Sequence, residues 1–258
     1  MLIQRDQPIF YNHPFMETSR IAALLDPFLD TPLTALQLEQ ISTYIDLLLR
    51  WNSRVNLTSI RIPDEIVTRH FGESLFAARH LFPRGADTPV RLAAPQPPHP
   101  LASPNPLSTP TPGSEIYPRL LDLGSGAGFP GLPIKIWAPE ISVALIESNN
   151  KKVAFLREAI RALTLTMIDV SAARAEDFPA GQAQIVTLRA VERFTQILPT
   201  ATKLLSPGAR LALLISELQL QEATRLTPTL HWSPSTPIPN SKARILAIGT
   251  KICKQSGI

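Results

Sequence analysis

The sequence predicts an α/β protein: a doubly wound, mostly parallel, seven-stranded sheet of Rossmann-like type behind an N-terminal helical extension. Three observations predict it. From residue 119 onward, short apolar runs alternate with amphipathic segments of helical period, which is the pattern of a parallel sheet with crossover helices. The first of those runs, RLLDL, leads straight into GSGAGFPG, a glycine-rich corner between a strand and a helix. Before residue 82, apolar residues recur at helical spacing and no strand signal interrupts them.

The chain therefore divides into a helical extension over 1–82, a Pro-rich linker or insertion over 83–118, and an α/β domain over 119–258. In the extension, TALQLEQISTYIDLLLRWNSRV places Leu38, Ile41, Ile45 and Leu48 on one helical face, with Thr34 as its N-cap. A second helix starts at Pro63, a residue suited to a first turn. Asp64 and Glu65 follow at the positive end of its dipole. It carries Ile66, Val67, Phe71, Leu75 and Phe76. The stretch VRLAAPQPPHPLASPNPLSTPTPGSEIYP is crowded with Pro. Each one removes a backbone donor and fixes a dihedral, so neither helix nor sheet propagates there. It reads as an exposed, extended connection.

In the α/β part, RLLDL, SVALIES, LTMID, QIVTL and ARLALLIS are strands. PGLPIKIWA, KKVAFLREAIRAL and ERFTQILPTATKLL are helices. The second of these sets Val153, Leu156, Ile160 and Leu163 on one face. Two shorter strands fall near 228–232 and 243–249.

Composition excludes several classes. The chain is 44% hydrophobic and 18% charged, as globular proteins are. Its single cysteine, Cys253, has no partner for an internal disulfide, and no Cys/His cluster has zinc spacing. A reducing, cytoplasmic compartment and no structural metal are expected. No apolar run approaches the ~18 residues of a membrane span, and MLIQRDQPIF lacks the layout of a secretory signal. The net charge is +4 and is unevenly placed. After Glu222 there is no acid, while Arg225, Lys242, Arg244, Lys251 and Lys254 follow. Such a stretch suits a phosphate backbone, and equally a solvated basic tail.

The glycine corner admits two chemistries. GAGFPG at 126–131 fits the G-x-G-x-x-G dinucleotide pattern. Asp122, Gly124, Gly126 and Gly128 fit Asp-x-Gly-x-Gly-x-Gly, the phase of an S-adenosylmethionine turn, in which an acid organises the loop. Glycine serves either one, because without Cβ a ligand approaches the backbone closely. Glu147 ends the second strand, where a carboxylate accepts ribose hydroxyls, and both readings want it.

Other blocks resemble one family. The sequence is similar to the RsmG family, also called GidB, bacterial methyltransferases acting on N7 of a guanine in small-subunit (16S) ribosomal RNA. The matching pieces are RWNSRVNLTSIR at 50–61, RHFGESL at 69–75 with Glu73 in place of Asp, LLDLGSGAGFPGLPIKI at 120–136, ARAEDF at 173–178 and VTLRAV at 186–191. The resemblance implies a class I S-adenosylmethionine-dependent methyltransferase fold, S-adenosyl-L-methionine as cofactor, and ribosomal RNA or the ribosomal particle as partner; the sequence leaves the oligomeric state open, with a monomer favoured. It implies that Gly124, Gly126 and Phe129 lie against the cofactor, that Glu147 holds the ribose, and that Ala175 and Glu176 flank the adenine. Arg189 is the implied arginine at the cofactor and methyl-transfer site, with Arg174 as a companion. Truncating Arg189 is expected to spare the fold and cost activity.

The residues present agree with that chemistry. Guanine N7 offers an in-plane lone pair and needs no base, so positioning supplies most of the effect. Where amine methyltransferases carry Asn/Asp-Pro-Pro-aromatic, this chain reads LRAVERF. Pyrimidine C5 methylation needs a thiolate, and the only cysteine is Cys253. Three features depart from the family: a longer Pro-rich stretch, Ile215-Ser216 where Lys-Gly is usual, and SKARIL where Arg-His precedes the last strand.

Overall fold

The computed structural model describes residues 16–84, 119–190 and 193–252. The Pro-rich connection, apart from Pro83 and Arg84, lies outside the described residues, as do Cys253 and Lys254.

The N-terminal helices are α1 (Thr18–Leu25), α2 (Ala35–Asn52), the single turn α3 (Pro63–Glu65) and α4 (Glu73–Leu81). Thr34 caps α2 in a reciprocal box with Gln37, as the sequence predicts. Between α3 and α4 the chain winds as a π-helix over Ile66–Gly72, a widened turn that helical periodicity does not distinguish from α.

The sheet comprises β1 (Arg119–Leu123), β2 (Ser142–Ile146), β3 (Ile168–Ser171), β4 (Ala183–Arg189), β5 (Leu205–Ile215), β6 (Leu230–Trp232), the two-residue β7 (Thr236–Pro237) and β8 (Ile245–Lys251). Its order is β3-β2-β1-β4-β5-β8-β6, with β7 also on β8. The first five strands are parallel, and β8 runs antiparallel to β5. The helices α5 (Gly131–Trp137), α6 (Asn150–Ala162), α7 (Phe194–Leu204) and α8 (Glu217–Leu226) complete the chain. The doubly wound, mostly parallel sheet expected from the sequence is present, with β7 as an eighth strand too short to read. LTMID, predicted as a strand throughout, is one only at its end. Thr164 and Met167 adopt left-handed backbone (φ +50° and +52°), which delays β3 until Ile168.

Two apolar layers sandwich the sheet. One joins α2, α4, α5 and α6 to it through Ile41, Tyr44, Phe71, Leu75, Leu132 and Phe155. The other packs α7 and α8 through Leu198, Leu204 and Ala223. The N-terminal helices thus share a core with the sheet. Gln37 Nε2 donates to Ile136 O at 2.6 Å and Gln40 Nε2 to Leu163 O at 2.9 Å, tying α2 to the ends of α5 and α6.

Strand order fixes where a ligand sits. The chain winds outward from β1 to β3, then returns to lay β4 on the other side of β1. The crevice outside the carboxyl ends of β1 and β4 is the topological switch point. Leu123 pairs with Leu188 there, so Gly124 and Arg189 leave neighbouring strands side by side.

Candidate functional site

At the corner after β1 the backbone reverses through Gly124, Gly126 and Gly128, all at positive φ (+66°, +57° and +88°). Gly124 N and Ser125 N donate to Ile146 O, stitching the turn to the end of β2. Asp122 organises the corner from below. It is fully buried, accepts from Thr187 Oγ1 at 2.7 Å, and accepts from Gly131 N at 3.2 Å. Burial pushes its carboxyl up to about 6, against those hydrogen bonds. Glu147 Oε2 accepts from Gly126 N at 2.9 Å and Oε1 from Asn149 N at 2.8 Å. Each oxygen keeps a lone pair for another donor.

The glycines differ in what surrounds them. A Cβ at Gly128 would lie 2.4 Å from Leu132 Cδ1 and from the Tyr44 hydroxyl. At Gly126 it would find nothing nearer than Gly124 O at 3.7 Å. Gly128 is closed against protein, whereas Gly126 faces open space. Phe129 is buried in an aromatic column: Tyr44 stacks at 5.3 Å, His70 at 4.6 Å, and Phe71 meets its edge at 5.2 Å. The Tyr44 hydroxyl donates to Ala127 O. Ala175 is buried at the start of a 3₁₀ turn after β3, and Glu176 beside it is exposed.

Arg189 closes β4 with its side chain 7% exposed. Its Nη2 donates to Glu73 Oε2 at 2.9 Å and to Arg69 O at 2.6 Å. Its Nε donates to Glu73 Oε2 at 3.2 Å, and Nη1 to His70 Nδ1 at 2.9 Å. A guanidinium has only donors, so His70 Nδ1 accepts and its proton sits on Nε2, 2.7 Å from Thr58 Oγ1. Burial, with Arg189 beside it and Arg69 and Arg244 further off, pushes the His70 imidazole down to about 3. Burial also lowers the basicity of Arg189, and Glu73 opposes that. Among the described residues Arg174 makes no hydrogen bond or ion pair with Arg189. It follows β3, so β2 and β1 intervene, a separation of about 14 Å at strand spacing.

Across residues 37–87 and 108–235 the chain matches the family model for rRNA small subunit methyltransferase G. This chain belongs to that family. Among its relatives is the ribosomal RNA small subunit methyltransferase G of Desulfitobacterium hafniense (strain Y51). It is 36% identical over 185 residues, covering 70% of this chain and 63% of that protein. The protein of that name from Halorhodospira halophila is 34% identical over 202 residues, covering 78% and 80% respectively. The one from Streptococcus pyogenes serotype M12 (strain MGAS2096) is 31% identical over 231 residues, 85% of each chain. Membership in a methyltransferase family disfavours the dinucleotide reading of GAGFPG and agrees with the methyltransferase-type sheet.

Several residues that build the site carry no signal strong enough to single them out in the sequence. Glu73, not Glu176 or Asp177, is the carboxylate paired with Arg189. Asn52 Oδ1 accepts from Leu57 N and Thr58 N, at 2.9 and 3.0 Å, and so shapes the loop that carries Thr58 to His70. The WNSRVNLT block is thus the support of the His70–Arg189 contact. The signal available was a His and an acid three apart in RHFGESL, one helical face. Of the departures, Ser216 acts locally, where its hydroxyl caps α8 by accepting from Gln219 N at 3.3 Å. The expectation that truncating Arg189 spares the fold is revised, because truncation leaves the buried Glu73 without its closest partner.

Proposed function

We propose that this chain transfers the methyl group of S-adenosylmethionine to N7 of a guanine in 16S ribosomal RNA. One observation carries the reading. In a chain of this family, an open glycine corner and a fixed arginine share the switch point of the sheet. The corner fits the cofactor: Gly126 leaves space where any Cβ would stand, Glu147 retains acceptor capacity at the end of β2, and Ala175 offers a small buried wall. Gly124 and Gly126 border the methionine part, Glu147 holds the ribose, and Ala175 with Glu176 flanks the adenine. Phe129 backs the turn from within its aromatic column.

When bound, S-adenosylmethionine supplies an electrophilic sulfonium methyl. The protein's part is to present N7 in line and dry. His70 is a poor base, since Arg189 occupies Nδ1, the proton sits on Nε2, and burial holds the imidazole down to about 3. Arg189 spends four N–H groups on Glu73, His70 and Arg69 O. The fifth, on Nη1, has no partner among the described residues and can donate to guanine O6, leaving the N7 lone pair to the methyl. Glu73 compensates the guanidinium, so no uncompensated cation faces a ring that becomes positive on methylation. The reading carries with it a cytoplasmic location and action as a monomer.

The test is incubation of the protein and S-adenosylmethionine with small-subunit RNA and with small-subunit particles from a strain lacking the enzyme. Nucleoside mass spectrometry is expected to find new 7-methylguanosine in at least one of them. No new methylated nucleoside in either substrate overturns the reading.

A further inference from the structure

A cavity of about 420 Å³ opens beside the Arg189–Glu73 pair. One wall is the π-helical segment and the start of α4, contributing Arg69 and Glu73. The other is the loop from Pro239 to Arg244, contributing Asn240, Lys242 and Arg244. The cations thus arrive from two chain segments about 170 residues apart, unlike a run of like charges on one solvated face. Among the described residues, the only carboxylate lining the cavity is already engaged. Glu73 binds Arg189 at 2.9 Å, with Arg244 Nε at 3.6 Å. Arg69 and Lys242 are exposed, and their side chains make no ion pair or hydrogen bond among the described residues. The loop is pinned, so these charges are placed by the fold. Ile238 is buried and its N–H donates to Arg244 O at 3.1 Å, while Arg244 N donates to Ser241 Oγ at 3.1 Å. Cations that converge with no free counter-charge among the described residues repel one another and call for an external anion. S-adenosylmethionine carries no phosphate, and its one carboxylate belongs to the methionine part placed above against Gly124 and Gly126, so a phosphate of another ligand is the anion these charges fit.

We propose that this cleft holds a phosphodiester of the RNA chain beside the methylated guanosine, with Arg69 and Lys242 donating to its oxygens. The proposal rests on the function assigned above. Arg69 links binding to chemistry: its side chain meets the backbone phosphate while its carbonyl holds Arg189.

The experiment uses the full chain with Arg69→Gln and Lys242→Gln combined. The control is Arg157→Gln with Arg161→Gln, which removes the same charge from exposed positions on α6. Small-subunit RNA binding is measured by filter retention at several salt concentrations, and S-adenosylmethionine binding by calorimetry. Expected is roughly tenfold weaker RNA binding by the cleft variant, with the log–log salt slope reduced by about 1 to 2, while cofactor affinity stays that of wild type. A cleft variant that binds RNA as the control does overturns the proposal, and the assigned function stands if wild type still methylates. Cleft-dependent RNA binding without methylation by wild type overturns the assigned function and, with it, the placement beside a methylated guanosine, leaving the cleft as an RNA-binding site alone. Binding of guanosine 5′-monophosphate that depends on Arg69 and Lys242, with RNA affinity unmoved, assigns the cleft to a free nucleotide and also overturns it.

Discussion

Two parts of the site hold buried carboxylates by opposite means. At the glycine corner, Asp122 and Glu147 are held by N–H and O–H groups that carry no formal charge: Gly131 N, Thr187 Oγ1, Gly126 N and Asn149 N. At the end of β4, Glu73 is held by the charged side chain of Arg189 and approached by that of Arg244. The corner is a rigid shape whose anions are solvated by backbone. The end of β4 is a set of mutually dependent charges, each buried at a cost that its partner helps to offset. A change at the corner alters shape locally, whereas a change at Arg189 or Glu73 strands a charge.

The largest effect should come from breaking the second arrangement. Arg189→Ala leaves Glu73, whose side chain is 4% exposed, without its hydrogen-bonded cation. Loss of about 3 kcal/mol of stability is expected, together with a fall in single-turnover methyl transfer of about 10²-fold or more. The two losses separate in Glu73→Gln combined with Arg189→Met, which removes both charges. Urea unfolding should show most of the stability regained while transfer stays low. Transfer that recovers with stability would make Arg189 a structural residue.

The same contrast explains what was legible in the sequence. The corner is assembled from residues close in the chain: Glu147 meets Gly126 across 21 positions, and Asp122 meets Gly131 across 9. Turn chemistry and a strand-helix-strand pattern suffice to place them. Arg189 could be placed at the ligand edge because it ends a strand. Its partners lie 116 to 120 positions away, on a helix whose π-helical widening has no periodic signature. The nearby acids Glu176 and Asp177 are closer in the chain, and proximity in sequence points to the wrong counter-ion. Thr164 and Met167 mislead for a different reason, since left-handed backbone at non-glycine residues is not written in composition.

Within the corner, two glycines should fail differently. Gly128→Ala drives a Cβ into Leu132 and the Tyr44 hydroxyl at left-handed φ, so a loss of roughly 2–4 kcal/mol is expected. Gly126→Ala meets no protein atom and bears mainly the left-handed strain, about 1–2 kcal/mol. On the function proposed above its larger consequence is for the cofactor, into whose space the methyl would project, and at least a tenfold weaker affinity by calorimetry is expected. If both alanines cost equal stability and leave S-adenosylmethionine affinity alone, Gly126 does not face the ligand.

The smallest effect at neutral pH sharpens the comparison as pH falls. The His70 imidazole titrates at about 3 in the folded chain and near 6.5 unfolded. Between those values the unfolded chain holds one proton more, so this group makes stability rise with pH, by about 1.4 kcal/mol per unit. Asp122 acts in the opposite sense. It titrates at about 6 folded against a usual value of 3.8, so the folded chain holds the extra proton between them and stability falls as pH rises. From pH 4 to 6 the two slopes nearly cancel. His70→Gln removes the first and keeps an acceptor for Arg189 and a donor for Thr58. Little change is therefore expected at pH 7.5, where neither state protonates the imidazole appreciably. On acidification below pH 6.5 the variant should gain on wild type by up to about 1.4 kcal/mol per unit, read as a rising difference in urea midpoints. Parallel curves for the two proteins would mean that His70 carries a proton when folded. Its Nδ1 then could not accept from Arg189, and the neutral, baseless site assigned here would be wrong.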